Sequence, residues 1–140
     1  MTEDKKVVMY TAKTRTTGGR ENGVSRSSDG RLDVRFSTPG SERIGATPEQ
    51  LFASAWSACF ESAIALAARG RKIMLPADVA IDAEIDLNQT DSGNFLSVRL
   101  NVSLPGIARD VARALMDDAH RICPYSKATH GNIDVATNLV

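Results

Sequence analysis

Cys59 and Cys123 lie 64 positions apart and are the chain's two thiols. A thiolate is a nucleophile and can be oxidised, so two thiols that meet in a fold form a redox couple. Two that do not meet are small buried hydrophobes, the common fate of cysteine. Cys59 sits in Leu51-Phe52-Ala53-Ser54-Ala55-Trp56-Ser57-Ala58-Cys59-Phe60, and Cys123 in Ala119-His120-Arg121-Ile122-Cys123-Pro124-Tyr125. Both settings are apolar, and burial alone raises a thiol pKa. Reactivity needs a positive group near sulfur, yet the nearest basic residues in sequence to Cys59 are Arg43 and Arg69. A cation for Cys59 must therefore arrive from elsewhere in the fold. For Cys123 two settings stay open. At the C-terminal end of a helix the dipole disfavours a thiolate. If Pro124 opens a new short helix, Cys123 is its N-cap and the sign reverses.

Other constellations are weaker. Two cysteines with His120 and His130 could supply four zinc ligands, but no paired CxxC or HxxxH element is present, so no metal site is expected. His120 reads as a polar position on a helix and His130 as a loop residue. Neither a phosphate-binding glycine loop nor a Gly-x-Ser-x-Gly elbow occurs, so no cofactor is expected.

Composition narrows the class. The 140 residues suit a single domain, 1–140, with a real core. Lys+Arg and Asp+Glu both count 17, which removes the basic footprint of a nucleic-acid binder. Balanced charge also weakens self-repulsion and permits self-association. The opening Met1-Thr2-Glu3-Asp4-Lys5-Lys6 is followed by too few apolar residues for a secretory signal. No apolar run approaches the roughly 18 residues of a membrane span. The expected compartment is the cytoplasm, with no membrane partner. There a cysteine pair is more often transient and catalytic than structural.

The elements that must position the thiols follow from periodicity. Strands are expected at Val7–Ala12, Val24–Ser27 and Leu32–Phe36, the last two joined through Ser28-Asp29-Gly30. Thr16–Gly23 reads as a glycine loop. Thr47, Pro48 and Gln50 have the spacing of a helix start, and the helix should run to Arg69 with Gly70 just beyond its end. This helix is apolar or small on most faces, which predicts a buried central helix. Val79–Leu87 and Leu96–Leu104 alternate apolar and polar residues around an Asp91–Asn94 turn, the pattern of a long hairpin with one buried face. Ile107, Val111, Leu115, Ala119 and Ile122 mark an amphipathic helix that stops near Cys123, before Pro124. A last strand covers Ile133–Leu139. The order βββ-α-ββ-α-β predicts an α+β fold of antiparallel sheets and two main helices.

Several segments together resemble a known family. They are Thr17-Gly18-Gly19-Arg20, Leu32-Asp33-Val34, Pro48-Glu49-Gln50-Leu51-Phe52-Ala53, Ser57-Ala58-Cys59-Phe60, Leu75-Pro76-Ala77-Asp78, Leu104-Pro105-Gly106, Ala119–Thr129 and Gly131-Asn132-Ile133-Asp134-Val135. In this order, from about Tyr10 to Val135, the set resembles the OsmC/Ohr family and its organic hydroperoxide resistance branch.

The resemblance implies an intertwined homodimer with sites at the subunit interface. It also implies a cytoplasmic, thiol-dependent peroxidase acting on alkyl or lipid hydroperoxides. Position by position, Cys59 matches the peroxidatic cysteine and Cys123 the resolving one. Arg20 matches the arginine that activates the thiolate, and Glu49 the carboxylate that holds that arginine. The implied reductant is a dithiol, of the lipoyl type, on a partner protein. Thr47 stands where the family often has Asn, Trp56 where it often has Tyr, and the segment 37–46 is short; these bear on pocket shape and substrate range. Phe52, Trp56 and Phe60 are candidates to line an apolar pocket. The competing readings are a broader-range peroxidase of the same family and a non-enzymatic oxidant sensor or apolar-ligand binder.

Glu49 and Cys59 are ten positions apart, roughly 15 Å along a straight helix at 1.5 Å per residue. One arginine cannot easily bridge that span. Either Arg20 and Glu49 act on the Cys59 of a partner chain, or the helix breaks between them.

Overall fold

A computed structural model describes residues 4–140. They form two compact units, one ending at Pro48 and the other running over Glu49–Val140.

The first unit is a three-stranded antiparallel sheet of β1 (Thr14–Thr17), β2 (Val24–Ser27) and β3 (Asp33–Arg35), with a one-turn helix α1 (Gly19–Asn22) between β1 and β2. The Asp-Gly turn between β2 and β3 is where the sequence places it. The first strand is not: Val7–Ala12 has no regular structure, and pairing begins at Thr14 opposite Ser27. The glycine loop is also more ordered than expected. Gly18 and Gly19 have φ of 84° and 69°, which glycine adopts without steric penalty. A Cβ on Gly23 would lie 2.0 Å from the Gly19 carbonyl oxygen. These glycines let the chain wind into α1 and return directly as β2. Arg43 ties the unit together, donating to the carbonyl oxygens of Phe36 and Gly23.

In the second unit, α2 (Pro48–Gly70) comes first, followed by the hairpin β4 (Ala80–Thr90) and β5 (Gly93–Ser103). Next come α3 (Arg109–Ile122), the short α4 (Pro124–Thr129) and β6 (Asp134–Leu139). The hairpin register pairs Ile81 with Val102, Ala83 with Leu100 and Ile85 with Val98, which puts the alternating apolar residues on one face. β6 joins the free edge of β5 in parallel, so this sheet is mixed rather than wholly antiparallel. Periodicity gives a strand's face, but its partner and direction come from where α3 and α4 deliver the chain.

The core of this unit forms where the sheet's Val98, Leu100 and Val102 meet Trp56, Phe60, Ala63 and Ile64 of α2 and Ala112, Met116 and Ala119 of α3. α2 is unbroken over 23 residues, so the expected alternative of a helix break between Glu49 and Cys59 does not occur. Its end lies beyond Gly70. Lys72 takes the left-handed conformation (φ 57°), and the N–H groups of Ile73 and Lys72 bond the carbonyls of Ala68 and Arg69. This is a Schellman cap, with Ile73 packing back beside Ala68.

Burial of α2 is one-sided. Trp56, Phe60, Ala63, Ile64, Ala67 and Ala68 are buried, while Ser54, Ala58, Glu61, Ser62 and Leu66 are exposed. By length and composition alone α2 could cross a membrane, contrary to the expectation that no segment reaches that length. Its interspersed serines and Glu61 hide this when only uninterrupted apolar runs are counted. Its inward stripe packs as the core helix of an α+β unit does.

Candidate active site

Cys59 lies near the middle of α2, on the edge of its inward stripe, and is half-buried. Cys123 is fully buried. It closes α3 by donating its backbone N–H to Ala119 O (2.7 Å), and it is also the N-cap residue of α4, with Pro124 in the first helical position. Of the two settings left open by the sequence, Pro124 does open a new helix. The residue before a proline is driven to extended backbone, and Cys123 has φ −66° and ψ 120°. The resulting corner turns its side chain toward α2.

The two sulfurs come within 3.1 Å as free thiols. The core-cysteine and redox-pair readings therefore merge: both thiols are packed among apolar groups, and they are in contact. A disulfide is about 2.05 Å long, so bond formation needs a closing movement of about 1 Å. Cys59 is the more accessible of the two.

The surroundings do not activate Cys59. Burial pushes its thiol up, and the contact with Cys123 does so further when the shared proton sits on Cys59. Against these, the backbone N–H of Tyr125 pulls it down. The balance is upward, and among the described residues of its own unit no cation lowers it.

The candidate arginine and carboxylate lie on α1 and in the first turn of α2. Arg20 is exposed on α1, in the first unit. Glu49 is half-buried in the first turn of α2, where a negative charge complements the helix dipole. With α2 continuous, Glu49 lies about 15 Å of helical rise from the Cys59 of its own chain.

Behind the sulfurs stands a hydrogen-bonded group of which the sequence offered Trp56 only as a pocket aromatic and His120 only as a weak zinc-ligand candidate, and did not single out Ser126 or Thr137. Trp56, one turn before Cys59, donates its indole N–H to Ser126 Oγ (3.3 Å). His120, one turn before Cys123, meets Ser126 Oγ through Nδ1 (2.9 Å) and Thr137 Oγ1 through Nε2 (2.6 Å). The Phe60 ring packs on the imidazole at 4.6 Å between centroids. Burial pushes His120 down from 6.5, with Asp117 acting in the opposite direction. The available sequence signal was spacing: His120 and Ser126 sit three residues either side of Cys123.

Of the three aromatics expected to line a pocket, Trp56 borders an open cavity of about 680 Å³, together with His120, Ser126, Ile133 and Val135. Phe52 and Phe60 do not line it. Phe52 packs edge-on against Trp56, with centroids 5.7 Å apart, and Phe60 is core.

An α+β chain that pairs a half-buried thiol on a central helix with a buried thiol at a helix corner defines a class of dithiol protein. A family model described as OsmC-like protein matches residues 38–138. The chain belongs to that family, and its relatives place it in the organic hydroperoxide resistance branch.

The organic hydroperoxide resistance protein of Xanthomonas axonopodis pv. citri is 43% identical over 136 residues, covering 94% of this chain and 95% of that protein. The Bacillus subtilis organic hydroperoxide resistance protein OhrA is 39% identical, covering 91% and 93%. Among solved structures, an organic hydroperoxide resistance protein from Legionella pneumophila superposes with a TM-score of 0.88 at 39% identity, over 95% of this chain and 98% of that one. Bacillus subtilis OhrB does so at 0.85 and 35%, over 95% and 100%. These relatives support a role in organic hydroperoxide resistance.

Proposed function

We propose that the protein is a thiol peroxidase that reduces organic hydroperoxides to alcohols. The observation that carries this reading is the 3.1 Å approach of an accessible thiol, Cys59, to a buried one, Cys123. The Cys59 thiolate attacks the terminal peroxide oxygen. The O–O bond breaks, the alkoxide leaves as alcohol after taking a proton, and Cys59 becomes a sulfenic acid. The Cys123 thiol then attacks that sulfur. The S–S bond forms, and the hydroxyl departs as water with the thiol hydrogen. A dithiol reductant, lipoyl-type by resemblance, opens the disulfide by two exchanges and leaves as its own cyclic disulfide. The apolar surroundings of Cys59 favour alkyl or lipid hydroperoxides over hydrogen peroxide.

Activation of Cys59 comes from Arg20, held by Glu49, in a homodimer. A guanidinium beside a thiol lowers its pKa and stabilises the departing oxygen. A carboxylate can grip that guanidinium in a bidentate pair. The upward push on Cys59 within its own unit supports a cation supplied from outside it. The continuous α2 separates Glu49 from the Cys59 of the same chain, which supports a site assembled between two copies. The expected setting is the cytoplasm.

The test is a thiol titration before and after one equivalent of an organic hydroperoxide, followed by turnover with a dithiol. Two free thiols should fall to none without intermolecular crosslinking. Cys59→Ser should abolish turnover; unchanged turnover would exclude this enzyme and leave the sensor or ligand-binding reading. Comparable rates with hydrogen peroxide would favour a broader-range member of the family.

A further inference from the structure

Trp56, Ser126, His120 and Thr137 form one hydrogen-bonded chain that joins α2, α3, α4 and β6, the elements that surround the thiol pair. Trp56 precedes Cys59 by one turn. His120 precedes Cys123 by one turn, and Ser126 follows it by one. We propose that this chain positions Cys123 for its closure on oxidised Cys59, with His120 as the central positioning residue. The proposal rests on the thiol peroxidase reading for its biological role, but the geometry concerns the dithiol pair itself.

Hydrogen-bond chemistry gives the chain a direction. An indole N–H can only donate, so Ser126 Oγ accepts from Trp56. We assign the neutral tautomer in which the Ser126 hydroxyl donates to His120 Nδ1 and Nε2–H donates to Thr137 Oγ1. This neutral tautomer uses the indole, serine and imidazole hydrogens within the chain. An imidazolium would turn Nδ1 into a donor facing Ser126, and the serine hydrogen would lose its acceptor. Protonation of His120 thus reverses the hydrogen bond at the residue that links α3 to α4, turns the serine hydrogen out of the chain and places a charge within it.

That tie matters because closure is geometrically demanding. Cys123 sits at the joint between α3 and α4, and its sulfur must reach Cys59 opposite the leaving oxygen. A misplacement of about 1 Å can cost roughly a hundredfold in rate. Packing alone could have used apolar side chains here; instead Ser126 is buried and contacts both Trp56 and His120.

The charged groups around the imidazole are Asp117 and Arg121 on α3, Lys127 on α4 and His130 just after it, all lining the same cavity. From α2 it meets the uncharged rings of Trp56 and Phe60, and from β6 the hydroxyl of Thr137. Burial keeps the imidazole neutral near pH 7.

The test uses the reduced full-length protein and 5,5′-dithiobis(2-nitrobenzoate). Cys59 attacks the reagent and releases one thionitrobenzoate. Cys123, buried from the reagent, then displaces the second as the protein disulfide closes, so the second phase reads closure alone. Ser126→Ala should slow that phase about tenfold, the scale of one or two neutral hydrogen bonds, and Trp56→Phe, which removes the indole N–H together with the buried five-membered ring, at least about fivefold. The first phase should change by less than about twofold. His120→Ala should also slow closure, with partial rescue in His120→Gln.

A structural role alone would not produce the expected pH signature. Divided by the Cys123 thiolate fraction, the wild-type closure rate should fall as pH drops below 6.5 and stay level in His120→Gln. Closure rates equal to wild type in folded Ser126→Ala and Trp56→Phe overturn the proposal, as does an unchanged pH profile in His120→Gln. No peroxide enters this assay. Normal two-phase release in a protein that consumes no hydroperoxide would overturn the peroxidase reading alone.

Discussion

α2 and α3 each bring a thiol to the same point, yet they are built on opposite plans. α3 is strongly amphipathic. Ala112, Leu115, Met116 and Ala119 are buried, while Arg109, Asp110, Arg113 and Asp117 are exposed. Its outer face suits water, and its surroundings are complete within one chain. α2 is apolar or small nearly all round, yet in the single chain only its inner stripe is covered, and Leu66 is half exposed. The helix holding Cys59 is thus the one with an apolar outer face left uncovered. That teaches where the two thiols' properties come from. Cys123 takes its position from its own chain, whereas under the proposed function Cys59 takes a cation and a cover from a second copy.

The sharpest way to break this contrast is to separate the thiols. Cys59→Ser should reduce dithiol-dependent hydroperoxide turnover by at least about a thousandfold, since it removes the nucleophile. Cys123→Ser should retain one round of reduction and accumulate a sulfenic acid at Cys59, which a sulfenic-acid-specific reagent would read. Equal behaviour of the two variants would erase the distinction.

Next in size is the lent activation. Arg20→Ala should raise the Cys59 pKa and slow its reaction with hydroperoxide by about ten- to a hundredfold, the effect of removing one adjacent cation. A pH titration of thiolate absorbance checks the first effect. An unaltered pKa would refute the role assigned to Arg20.

Burial gives the third test. Leu115→Ala, on the buried face of α3, should cost about 3 kcal/mol in denaturant unfolding, the typical cost of truncating a core leucine. Leu66→Glu, on the outer face of α2, should weaken association of two copies more than it weakens the fold, read by sedimentation across a dilution series. If it leaves association unchanged, that face is not the one a second copy covers.

The smallest expected effect is one of pH. Burial lowers His120 below 6.5, so the unfolded chain binds that proton more readily. The stability from neutral His120 is fully present above about pH 6.5 and is lost as pH falls from there toward the folded-state value. Unfolding midpoints at about pH 7.5 and 5.5 should differ more in wild type than in His120→Gln.

Much of this was legible residue by residue. Thr47-Pro48 marked the start of α2, and strict alternation marked β4 and β5. The 3–4 spacing of Ile107 to Ile122 marked α3. These are local signals, set by one period and one cap. Errors fell where locality fails. Val7–Ala12 has strand-forming residues but no paired neighbour, whereas Thr14–Thr17 has one in β2. Two glycines with positive φ made a helical turn from what read as a loop. The α2 end moved because Lys72, not Gly70, took the left-handed cap. β6 was found, but its parallel pairing with β5 depends on where α4 releases the chain.

The sequence by itself determined that two thiols exist, that each lies in an apolar stretch, that Pro124 interrupts the helix at Cys123, and that no basic residue lies close to Cys59 on its own helix. Composition and period suffice for those facts. Only the tertiary structure decided that the sulfurs meet at 3.1 Å, that Cys59 is the accessible member of the pair, and that Trp56, Ser126, His120 and Thr137 brace the corner behind them. Contacts across 64 positions depend on how the sheet, α2 and α3 pack together, and no local pattern encodes that distance.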